Sequence, residues 1–143
     1  MKDLPHGEDV NYWKTGQSSP DVWIDKTKGQ IESLGGIVEA EAFGNEPTTG
    51  RSAFMLQFSI QGERFKIVWP VLPTRSGDER AARVQAATLI YHDCKAKCIT
   101  AAVLGARQAF FQNLVLPDGR VVSDLALPEM ESALPKLLTH QPK

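Results

Sequence analysis

The stretch that decides the fold is Ser52-Ala53-Phe54-Met55-Leu56-Gln57-Phe58-Ser59-Ile60-Gln61-Gly62-Glu63-Arg64-Phe65-Lys66-Ile67-Val68-Trp69. It contains two alternating runs. Phe54, Leu56, Phe58 and Ile60 share one face of the first, Ser52 to Ile60, and Phe65, Ile67 and Trp69 share one face of the second, Arg64 to Trp69. With Gln61-Gly62 as a two-residue turn, Phe58 stands opposite Phe65, Leu56 opposite Ile67 and Phe54 opposite Trp69. A slip of one residue would turn one whole set of apolar side chains to the other face, so the alternation fixes the register of an antiparallel hairpin.

Upstream, Gly36 to Phe43 is a short, Ala-rich third strand. Before it, Ser19-Pro20-Asp21 reads as an N-cap, a first helical position and a first-turn acid, and Gly35-Gly36 as a stop, which predicts a helix from Pro20 to about Leu34. Residues 1–18 are polar and carry one large apolar anchor, Trp13. They are expected to form an arm on a single α+β domain spanning 19–143.

Downstream, Pro70 and Pro73 end the strand, and Ser76-Gly77-Asp78-Glu79 fits a capping box with Ser76 as N-cap and Glu79 at the third helical position. No proline follows until Pro117, and a single glycine, Gly105, interrupts the pattern. The expected helix therefore runs from Gly77 to about Asn113, roughly 50 Å, with a weak point at Gly105. From Cys94 onward its apolar residues occur all round: Cys98, Ile99, Val103, Leu104, Ala106, Ala109, Phe110, Phe111 and Leu114. A helix apolar on every side is covered on more than one, which predicts self-association; the alternative is cover from the first helix, Trp13 and the C-terminal segment. Leu116-Pro117-Asp118-Gly119 marks a turn between Leu114-Val115 and Val121-Val122, giving a small terminal hairpin, and a short helix follows from about Pro128 to Leu134. The fold expected is α+β: an N-terminal helix, a three-stranded antiparallel sheet packed on one long helix, and a small C-terminal hairpin and helix.

The chain has 143 residues, of which 42% are hydrophobic and 23% charged. That is enough apolar mass to offset ordering entropy and excludes a largely disordered chain. No continuous apolar stretch reaches the roughly 18 residues a membrane span needs, and the start, Met1-Lys2-Asp3-Leu4-Pro5, lacks a signal-peptide core, so a cytoplasmic protein is expected. Cys94 and Cys98, four apart in a helical pattern, read as reduced small hydrophobes. The formal charge is −1, yet residues 75–114 hold six cations against three acids. The positive charge gathers on one element.

No catalytic constellation emerges. There is no Gly-x-Ser-x-Gly elbow, phosphate-binding P-loop, His-Glu-x-x-His or Gly-x-Gly-x-x-Gly. His92 lies about 160° from Cys94 around a helix, so the two thiols and this imidazole do not close on one metal ion. Glu39 and Glu41 on one strand face pair most simply with Arg64 and Lys66 across the sheet. Neither a cofactor nor a metal is expected.

One pattern points to a ligand. Arg80, Arg83, Tyr91 and Lys95 fall within about 60° of a common line along the long helix, and Arg75 precedes them. Cations near a helix N-terminus oppose the macrodipole, and a bound anion held by the amides of Gly77 and Asp78 would reverse that penalty. The competing reading is a solvated face neutralised by Asp78 and Glu79.

The runs Val68-Trp69-Pro70-Val71-Leu72-Pro73, Arg80-Ala81-Ala82-Arg83-Val84-Gln85-Ala86-Ala87 and Leu114-Val115-Leu116-Pro117-Asp118-Gly119-Arg120-Val121-Val122 resemble a group of small proteins of phages and mobile elements. The order of three strands and a long helix is similar to the core of single-strand annealing proteins. The resemblance implies an oligomeric protein that holds single-stranded DNA; with the basic stripe read as a ligand site, the expectation is a non-enzymatic nucleic-acid-binding protein with Arg75, Arg80, Arg83 and Lys95 on phosphate and Tyr91 stacking on bases. The alternative is a protein-interaction or assembly module with a merely solvated basic stripe.

Overall fold

The computed structural model describes residues 3–16, 18–45, 47 and 50–125. Its class is α+β: helix α1 (Pro20–Ser33), strands β1 (Ile37–Asn45), β2 (Ser52–Ile60) and β3 (Glu63–Pro70), the long helix α2 (Glu79–Leu104) and a one-turn helix α3 (Ala106–Ala109). Short 3₁₀ turns occupy Gly7–Asp9, Phe111–Asn113 and Val122–Asp124. The predicted helix at Pro128 to Leu134 lies outside the described residues.

The strands form one antiparallel sheet in the order β1-β2-β3. Phe58 faces Phe65, Leu56 faces Ile67 and Phe54 faces Trp69, the register the alternation predicts. Gln61 and Gly62 both adopt positive φ, 53° and 81°, as a two-residue turn matched to strand twist requires.

β1 is longer than its Ala-rich centre suggests and carries an irregularity the alternation does not reveal. Val38 pairs with Phe58 and Ala40 with Gln57, so Glu39 is an extra, bulged residue. The bulge sends Glu39 and Glu41 to opposite faces, correcting their expected placement on one. Glu39 accepts from Arg64 Nε at 3.0 Å, whereas Glu41 turns toward α1 and accepts from Lys28 Nζ at 2.6 Å.

The core lies between the inner face of the sheet and the two helices. Phe58, Phe65 and Phe110 are fully buried, with centroids 5.7, 5.2 and 5.7 Å apart, and Ile31, Cys94, Cys98 and Val122 close around them. A second cluster joins Ile24 of α1 to Ala87 and Ile90 of α2, against Trp23, Phe54 and Trp69. The two thiols stand 3.9 Å apart, and their mutual hydrogen bond and burial push the Cys94 thiol far up. That group is a core hydrophobe rather than a nucleophile.

Phe110 reaches the core because the long helix stops sooner than expected. Gly105, at φ 100° and ψ 151°, ends α2 after 26 residues, about 39 Å at helical rise. α3 then leaves in a new direction. The break returns Ala106, Phe110 and Leu114 to the core, so much of the surface predicted to need a second chain is covered within this one. Ile99, Val103 and Leu104 remain outside, at 63%, 76% and 56% exposure.

The expected terminal hairpin is present but short: Val115 bridges Val121, the Leu116 amide donates to the Arg120 carbonyl at 2.7 Å and the Val122 amide to the Leu114 carbonyl at 3.1 Å, while a separate bridge joins Leu114 to Phe65. Leu114 and Val115 thereby lie along the outer edge of β3, with the Val115 amide donating to the Arg64 carbonyl at 2.9 Å.

Candidate nucleic-acid interface

The basic residues collect where α2 begins, and its cap differs from the expected one. Ser76 is not the N-cap; its Oγ accepts from the Asp78 amide at 3.3 Å, and Asp78 caps the helix through Oδ1, which accepts from the Ala81 amide at 3.0 Å. The Gly77 amide donates to Thr74 Oγ1 at 2.9 Å. The loop amides expected to receive a phosphate therefore already have acceptors inside the chain.

The two amides before them find an acceptor in the arm. The Glu8 carboxylate accepts from the Arg75 amide at 3.1 Å and from the Ser76 amide at 2.9 Å. Desolvation beneath the arm opposes its ionisation, but the backbone donors of Ser76 and Arg75 outweigh that effect and hold the carboxyl down at about 2. Beside it, Asp9 forks onto the Arg75 guanidinium at 2.6 and 2.9 Å, and this charge-assisted pair holds the Asp9 carboxyl below its usual range. Asp9 thus takes the guanidinium that the sequence pattern offers to a phosphate, and Glu8 takes the two loop amides just before those of Gly77 and Asp78.

The rest of the arm is tied as firmly. Gln85, fully buried on α2, places Nε2 at 2.8, 3.1 and 3.0 Å from the carbonyls of Gly7, Val10 and Asn11. Three carbonyls around one nitrogen fix the amide's orientation and leave Oε1 buried without a partner. The Gly7 amide donates to the Pro73 carbonyl at 2.8 Å, and the Trp13 ring lies so close that a Cβ on Gly7 would meet it at 2.9 Å. Tyr12 stacks on His92 with centroids 4.5 Å apart, and Lys14 pairs with Asp78 at 3.1 Å.

The five residues of the predicted stripe therefore separate. Arg75 is committed to Asp9. Tyr91 is half-buried among Trp23, at 5.3 Å, and His92, at 5.2 Å, with Lys95 Nζ 6.0 Å from its ring centroid. Arg80 and Arg83 stay exposed on the first turns of α2, each lining a different groove. Arg80 borders one of about 310 Å³ with Lys14 and Asp78.

Arg83 borders a larger groove of about 430 Å³ with Phe43, Arg51, Thr74 and Glu79 over a floor of Leu72 and Ala82. This groove joins two guanidinium groups to a ring that is 45% exposed, from the end of β1, the start of β2 and α2. Phe43 and Arg51 belong to no local motif, and only the pairing of β1 with β2 brings them to α2. Gln85 did leave a signal: an amide on the small apolar helix face of Ala82 and Ala86 needs a buried partner.

Among the described residues, no helix is long and apolar enough to cross a membrane, and no group of three or more His, Cys, Asp and Glu side chains is placed to hold a metal ion. No protein-family model, curated protein or solved structure matches this chain.

Proposed function

We propose that this is a non-enzymatic, oligomeric nucleic-acid-binding protein of the phage or mobile-element kind, whose single-stranded ligand crosses the N-terminal end of α2. The observation that supports it is the groove uniting Arg83, Arg51 and Phe43. Guanidinium groups beside an exposed ring are what a phosphate next to an unpaired base requires. Arg80, about 60° around the same helix turn and bordering the neighbouring groove, extends the positive track, and Lys95, about three turns further along α2, would meet a strand that continues down the helix. Arg75 drops out of the contact set because Asp9 holds it, and Tyr91 is left a minor, edge-on role.

With three or four phosphate contacts, affinity for a single strand should fall roughly 20- to 50-fold between about 50 and 200 mM salt. Fluorescence anisotropy with a labelled single-stranded oligonucleotide tests this directly. Binding should appear at low salt and vanish in Arg80→Glu/Arg83→Glu. A wild-type protein that gives no binding at low salt ends this reading.

The exposed Ile99, Val103 and Leu104 favour a second one, an assembly module that docks a partner on the far end of α2. In that case the double charge reversal changes nothing and Val103→Asp abolishes partner capture.

A further inference from the structure

β1 is the outer strand of the sheet, hydrogen-bonded to β2 alone. The other outer strand, β3, has its edge partly occupied by Leu114, Val115 and the Asn113 side chain, which donates to the Lys66 carbonyl at 3.2 Å. Among the described residues nothing comparable lies along β1. Eight of its nine residues are exposed, including Ile37 at 65%. Nine residues at about 3.3 Å each leave some 30 Å of edge whose outward N–H and C=O groups can pair with another strand.

The devices that usually blunt such an edge are weak here. β1 contains no proline and no lysine, and its single bulge lies near one end, at Glu39. Beyond the bulge, the face turned away from the helices carries Ala40, Ala42 and Gly44, none of which obstructs an approaching backbone.

Charge identifies the occupant. The first half of β1 borders a groove of about 590 Å³ lined by Asp25, Glu32, Glu39 and Glu41; Lys28 answers Asp25 and Glu41 and Arg64 answers Glu39, which leaves the acids in excess by two. The second half borders the groove of Arg51 and Arg83, where Glu79 is the only acid. One edge is therefore acidic at its start and basic at its end. An antiparallel copy of the same strand presents the opposite order, and a two-fold axis brings each acidic half beside a basic half.

We infer that the free edge of β1 pairs with β1 of a second copy, antiparallel about an axis at Ala42, to make one six-stranded sheet across a dimer. The alternation beyond the bulge keeps the faces matched for any axis on a residue, and Ala42 is the residue that lies between 38–41, which line the acidic groove, and Phe43, which lines the basic one. An axis there sets Ala42 opposite Ala42, Ala40 opposite Gly44 and Glu41 opposite Phe43, keeping inner residues with inner and outer with outer. An axis at Glu41 would instead oppose two carboxylates. This surface is distinct from the α2 face that the sequence pattern nominates for self-association. It is also independent of the nucleic-acid reading, although phosphate and the second copy's carboxylates would compete for Arg83.

Sedimentation velocity on the full chain without nucleic acid, over about a hundredfold concentration range, reads the pairing. The wild type should dimerise, and more weakly as salt rises. Ala42→Lys and Ala42→Glu should each be monomeric, because like charges meet on the axis, and an equimolar mixture of the two should regain the dimer. Far-UV circular dichroism confirms that the variants fold. Hydrogen exchange on the wild type gives a readout without mutation: alternate β1 amides should gain protection in concentrated over dilute protein. The proposal is overturned by a wild type that stays monomeric, by a mixture that does not re-pair, or by a dimer that survives Ala42→Lys and dissolves in Val103→Asp.

Discussion

The two ends of α2 meet opposite problems and solve them by different means. At its start the helix presents unpaired amides, two exposed arginines and a basic loop, and the answer comes from far away in sequence. Glu8 takes loop amides, Asp9 takes Arg75, Lys14 answers Asp78, and Gln85 ties down the arm that delivers them. At its finish the helix is apolar, and the answer is local: Gly105 turns the chain so that Phe110 packs against both Phe58 and Phe65. The polar end ends with most of its groups partnered. The apolar end keeps a bare patch, because a single break can redirect only the residues that follow it. The contrast teaches that a charge count on an element does not measure how much charge is free to bind a ligand.

The largest expected effect comes from breaking the apolar end. Phe110→Ala removes a fully buried ring and should cost about 3–5 kcal/mol in urea unfolding, exposing how far the fold depends on the reversal at Gly105. A loss below about 1 kcal/mol would mean that α3 does not supply the core as described.

A smaller loss is expected at the polar end. Gln85→Ala leaves the carbonyls of Gly7, Val10 and Asn11 without their shared donor and should cost about 2 kcal/mol, with hydrogen-exchange protection lost in residues 3–16 but kept in β2 and β3. Equal loss of protection in the sheet would show that the arm is no separate unit.

The smallest effect is one of acid dependence. Glu8 is depressed from 4.5 to about 2, so its contribution is fully present above about 4.5 and disappears as pH falls toward about 2. Arm docking, followed by Trp13 fluorescence, should loosen across that window in the wild type. Glu8→Gln should reduce the response, because an amide does not titrate there, and leave the part carried by Asp9 with Arg75 and Asp78 with Lys14.

The same contrast separates what could be read in the chain from what could not. The β2–β3 register is written in a period of two over adjacent residues, and α1 in a cap, a proline and a glycine stop. Both depend on neighbours within a turn or a hairpin. At Gly105 the sequence showed a weak point but not the end of α2, since a glycine is tolerated inside a helix and the break is favoured by the packing of Phe110 against Phe58 and Phe65. The bulge at Glu39 leaves no mark in the alternation of a short Ala-rich strand, yet it decides which way two carboxylates point. Arg75 looked like a ligand for anions and is one; the anion is Asp9, 66 residues earlier in the same chain.

By itself the sequence determined the α+β class, the hairpin and its register, and the gathering of basic residues before and along one helix. These follow from local periodicity, and local geometry is set by bonds and sterics close in the chain. Tertiary structure alone decided where the long helix stops, which cations are already paired, that Arg51 and Phe43 join Arg83, and which strand is left with an open edge. Those outcomes depend on contacts between residues distant in sequence, whose pairing is fixed by packing and by the requirement that buried polar groups find partners.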